Sequence, residues 1–95
     1  MALFKSLWQR LSGGGTIDRE AEAVEYEGYR IRPAPFRRGG AYQTAGIIEQ
    51  EVAGELKEHR FVRAETHPSW EAAVEFSIAK AKQIIDERGK RVFDS

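Results

Sequence analysis

One stretch constrains the fold more than any other. Between Pro68–Ser69 and Gly89, residues Trp70, Ala73, Val74, Ser77, Ile78, Ala81, Ile84 and Ile85 recur at helical spacing and fill a single arc. Thr66 or Ser69 supplies a cap, Glu71 lies favourably at the positive end, and Arg88 with Gly89 closes the other end. A long amphipathic helix must lay its apolar arc on something. What precedes it reads as strand. Val24 and Tyr26, then Tyr29 and Ile31, are strand-type residues interrupted by Gly28, which predicts a bulge or bend. Pro33 and Pro35 are expected to end that pairing, and Arg37-Arg38-Gly39-Gly40 to form a loop. A second strand is expected over Tyr42 to Val52, a tight turn at Ala53-Gly54, and a third strand over Leu56 to Ala64. The predicted class is α+β: a short N-terminal amphipathic helix, a three-stranded antiparallel meander, and a long C-terminal helix packed on one sheet face.

Both long strands carry apolar residues on both parities, Ile47 beside Ile48 and Phe61 beside Val62. Either both faces are partly covered or a bulge shifts the register, so the buried face of the third strand stays open at this point. Phe76 falls outside the main helical arc and is expected to need a partner, worth roughly 1.5–3 kcal/mol on burial.

At the other end of the chain, Leu3, Phe4, Leu7, Trp8 and Leu11 recur at helical spacing. A helix of about three turns is too short to be stable alone in water, and the glycine triplet of Ser12 to Thr16 makes a hinge after it. The chain divides accordingly into a helix and hinge at 1–15, a linker at 16–23 and a βββα domain at 24–95. The apolar stripe of the N-terminal helix and Phe76 together form a candidate protein-interaction surface, for self-association or for another protein. Membrane docking through the same helix is disfavoured, because only Lys5 and Arg10 would attract anionic lipid.

Composition narrows the function classes. A chain of 95 residues has room for one core. Fifteen basic against fifteen acidic residues give zero net charge, so any attraction to a polyanion must come from local segregation. There is no cysteine, which excludes disulfides and thiolate metal sites and fits a reducing cytoplasm. No apolar run approaches the ~18 residues of a membrane span, and the start of the chain lacks a signal-peptide core. A cytoplasmic location is expected.

Chemistry-bearing constellations are sparse. Glu55, Glu58 and His59 are close in sequence, but neighbours on a strand point to opposite faces, and a metal needs three or four converging ligands. The glycine-rich stretches lack the lysine of a phosphate-binding loop and the dinucleotide fingerprint. No enzyme, small-molecule substrate, cofactor or metal is expected. The arginines stand out instead: Arg30, Arg32, Arg37 and Arg38 lie within nine residues. Arg30 and Arg32 share a parity, Arg37 and Arg38 are placed at the tip, and Arg60 or Arg63 joins from the third strand, depending on register. Guanidinium groups match phosphate oxygens and guanine edges, so Arg30, Arg32, Arg37, Arg38 and Arg60 are candidate nucleic-acid contacts. The competing reading is a solvated face on which the arginines pair with Glu49, Glu51 and Glu58.

The segments "GYRIRPAP", "AGIIE", "KEHRFVRAET", "AAVEFS" and "KAKQIIDERG", with the N-terminal "LFKSLW", resemble the small bacterial family of HlyU-type transcriptional activators, named for haemolysin-gene activation. That resemblance implies transcription regulation. A looser likeness, of pattern only, is to the sheet-plus-helix domain of plant ethylene-response-factor proteins, which read DNA with an exposed sheet. The tryptophans expected on that sheet are absent here. Two functions follow: a non-enzymatic regulator holding duplex DNA on an arginine-bearing sheet, or an interaction module working through Leu3–Leu11 and Phe76. Contact with about four to five phosphates would give a salt slope near −4.

Overall fold

The computed structural model describes residues 21–93. The expected helix of Leu3, Phe4, Leu7, Trp8 and Leu11 lies outside the described residues, as does its hinge. Five strands, β1 (Val24–Tyr26), β2 (Tyr29–Pro33), β3 (Phe36–Arg38), β4 (Ala41–Val52) and β5 (Glu55–His67), precede a helix, α1 (Trp70–Arg88), and a closing 3-10 turn, Gly89–Phe93. All strand pairs are antiparallel.

The expected bend at Gly28 is a full reversal. Glu27 and Gly28 both take positive φ, 51° and 83°, the two-residue turn that folds β1 back on β2. The meander therefore gains a strand at its edge. The prolines also behave differently from expectation. Pairing pauses after Pro33 but resumes at Phe36 in unchanged register against β4, so β2 and β3 are one strand with a two-residue interruption. Between them the Ala34 amide donates to the Ala45 carbonyl at 2.9 Å. The alternation of a strand then aims the positions of Pro33 and Pro35 at the opposite edge, where a missing N–H costs no ladder bond. Arg37 and Arg38 are consequently strand residues, and only Gly39-Gly40 turns the chain into β4. In effect the sheet is a four-ply meander: β1, the joined β2–β3, β4 and β5.

Ala53 and Gly54 form the expected tight turn, with φ of 53° and 82°. The β4–β5 register shifts between Gln43 and Ala45. The shift adds two residues to β5, so parity survives: Ile48 and Phe61 stay on the helix side, and Ile47 and Val62 stay on the other. Gln43 Nε2 donates to the Arg63 carbonyl within the irregular stretch, at 2.8 Å.

The helix begins where expected. Ser69 Oγ accepts from the Ala72 amide, and Gly89 closes the far end with φ of 53°. Its buried residues are Ala73, Ser77, Ala81, Ile84 and Ile85. Ala73, Ser77 and Ala81 are small and four residues apart, which lets the helix approach the sheet closely. Ser77 Oγ donates to the Ala73 carbonyl and accepts from the Ala45 amide, tying helix to sheet where the β4–β5 register shifts. Tyr29, Ile31, Ile48, Phe61, Ala81, Ile84, Ile85 and Val92 make the core between the layers. Gly46 is required there: a Cβ would stand 2.8 Å from Phe61 Cζ and 3.1 Å from the Arg32 carbonyl oxygen. No helix among the described residues is long and apolar enough to cross a membrane.

Candidate nucleic-acid interface

Register assigns each paired strand side chain to a face. Residues facing one another across a pair point the same way. Ile31, Ile48 and His59 form one row on the helix side. Arg32, Ile47 and Arg60 form the adjacent row on the face away from α1, the open face among the described residues, where Ala45, Ile47 and Glu49 are nonetheless buried. Further along that open face come Ala45 with Val62, then Phe36 with Gln43 and Thr66, then Arg38 with Ala41. In the opposite direction Glu25, Arg30, Glu49 and Glu58 share a row, followed by Glu51 with Leu56. Charge thus separates lengthwise. The half toward the β4–β5 turn holds four carboxylates and Arg30; the half toward Gly39-Gly40 holds Arg32, Arg60 and Arg38.

The boundary between the halves is stitched by Glu49. This carboxylate is buried. Its Oε1 accepts from Arg32 Nε at 2.9 Å and lies 3.8 Å from Arg30 Nη1. Arg30 Nε also meets Glu25 Oε2 at 3.4 Å. One buried acid held by two guanidiniums is a compact anchor, and it commits part of both arginines to the protein itself.

The expected arginine cluster therefore divides. Arg32, Arg38 and Arg60 share the basic half. Arg30 sits in the acidic row. Arg37 is on the other side of the sheet: it faces Tyr42, with its guanidinium carbon 5.8 Å from the ring centre. Tyr42 in turn faces His67, whose ring lies 4.8 Å from that of Phe76 on α1. Lys80 Nζ covers the same Phe76 ring at 5.6 Å. Phe76 is half-buried by these contacts and so finds part of its partner within the described chain. Strand parity would have separated Arg37 from Arg32, had the prolines not suggested that the strand ended before it. Glu49 meets the arginines as the competing reading expected, whereas Glu51 and Glu58 show no ion pair with Arg30 or Arg32. Glu25 was the residue missed, because only the cross-strand register brings it to Arg30.

Two ionisable groups on the helix side are shifted. His59 is held below its ordinary value, first by burial and then by the nearby charges of Arg88 and Arg63. Tyr26 is held above its ordinary value by its hydrogen bond to Asp86, 2.8 Å long. Glu58 faces away from the helix while His59 faces toward it, so these neighbours do not converge.

The chain matches the family model described as transcriptional activator HlyU over residues 2–93. It belongs to the HlyU family. No curated protein and no solved structure matches it. The HlyU match extends across β1 to the closing turn, so the sheet face away from α1 and the helix that backs it both lie within the matched residues.

Proposed function

We propose that this chain is a small, non-enzymatic transcriptional regulator that meets duplex DNA through the basic half of its open sheet face. The family assignment supports a role in transcription. The observation that carries the DNA contact is the lengthwise separation of charge, which puts Arg32, Arg38 and Arg60 together on the face away from α1. A chain of zero net charge needs such local segregation to hold a polyanion. Arginines on a sheet suit phosphate oxygens, and phosphate contacts position a protein without reading sequence. Phe36 and Val62 lie among them on the same face and offer apolar contact to sugar or base edges.

The two neighbouring arginines of β3 provide the test, because they point to opposite faces. Arg38→Ala should weaken duplex binding roughly tenfold at low salt and reduce the salt slope by about one, whereas Arg37→Ala should change neither. Equal losses from both, or from neither, would place the contact elsewhere. If no duplex binds at all, the remaining role is protein contact through Leu3–Leu11 and Phe76, read out by deleting residues 1–15.

A further inference from the structure

β5 pairs with β4 along one edge, and no strand among the described residues lies against its other edge. The helix rests mainly on β4 and β2, and touches β5 less. Its regular part, up to Val62, carries two of the exposed large apolar side chains, Leu56 at 39% and Val62 at 57% exposure, both on the open face. An uncovered strand of this length is a template for another strand.

We propose that a second copy of this chain pairs with it, β5 against β5 and antiparallel, with His59 opposite itself. A two-fold axis through an antiparallel pair sets one residue against its own copy, which leaves few registers to consider. Centring on Glu58 or Arg60 opposes like charges at the axis, and centring on Arg60 also faces Lys57 with Arg63. Centring on Lys57 again opposes like charges, and centring on Phe61 sets Arg63 against His59. Centring on His59 faces Glu58 with Arg60 and Glu55 with Arg63. It also brings Leu56 of one copy onto Val62 of the other, covering both exposed apolar residues at once. Opposite charges and paired apolar groups directly across a ladder are the favourable combinations. The joined sheet then runs continuously through both copies, with the two helices on one side and the two open faces on the other. Across the seam Arg60 faces Glu58 of the second copy, while Arg32 and Arg38 lie away from it.

The chain has no cysteine, so single-cysteine variants report the register directly. Facing Cα atoms in an antiparallel pair stand about 4.5–5.5 Å apart, within disulfide reach. The full chain carrying Glu58→Cys, His59→Cys or Arg60→Cys is oxidised mildly and resolved on a non-reducing gel. His59→Cys should give a covalent dimer at roughly tenfold the yield of the other two. Stronger cross-linking through Glu58→Cys or Arg60→Cys, or none with any of the three, would overturn the proposal. Charge reversal supplies a second readout that does not depend on position 59. By sedimentation, Arg60→Glu should weaken dimerisation at least about tenfold, and adding Glu58→Arg should restore it. A wild-type chain that stays monomeric at every concentration, or a double variant that is not rescued, would equally rule it out. These readouts are mass and cross-linking, so this inference and the DNA contact fail or stand separately.

Discussion

Glu49 decides how much of Arg30 and Arg32 is left for any other partner. It is buried between Arg30 and Arg32, and its removal leaves two guanidiniums without their shared acceptor. Glu49→Gln should therefore lower stability by about 1–3 kcal/mol, measured by urea unfolding, because the charge-assisted bond to Arg32 is lost. His59 makes a separate contribution. Its pKa in the folded chain lies below the ordinary 6.5. The neutral form is the one the fold favours, so its contribution is present above that ordinary value and is lost as pH falls through the lowered folded pKa. The urea midpoint should drop on going from about pH 8 to about pH 5, and His59→Gln should flatten that part of the dependence. A variant with the same pH profile as wild type would show that burial beside Arg88 and Arg63 does not matter to stability.

At the scale of elements, turns and close approaches fix the architecture. Ala53 holds a positive φ of 53° that an L-residue adopts reluctantly. Ala53→Asn should stabilise by about 0.5–1 kcal/mol, since Asn-Gly is the preferred pair for this turn. Gly46→Ala should do the opposite, costing about 1–3 kcal/mol in thermal or urea unfolding, because Phe61 and the Arg32 carbonyl occupy the space of the new methyl. The helix, its caps and the Ala53-Gly54 turn were readable in advance, because caps, glycine and helical period are local signals. The division at Glu27-Gly28 and the resumption of pairing after Pro35 were not. Both depend on which edge of a strand faces a partner, and that is a property of the sheet rather than of the segment.

At the largest scale, the governing feature of the described residues is a sheet with a helix on one face and separated charge on the other. That a helix covers one side followed from its single apolar arc. The grouping of the arginines was only half readable: Arg32, Arg38 and Arg60 converge, but Arg37 crosses to the helix side and Arg30 joins the acidic row. The proposed DNA contact accordingly has three arginines per chain, where the arginine count suggested about four to five phosphates. The most direct measurement is duplex affinity as a function of salt for wild type and Glu49→Gln. The expected slope of log affinity on log salt is about −3 per chain, steepening by roughly one when Glu49 is neutralised, with tighter binding at low salt. No binding, a slope near zero, or a Glu49→Gln variant indistinguishable from wild type would contradict the account.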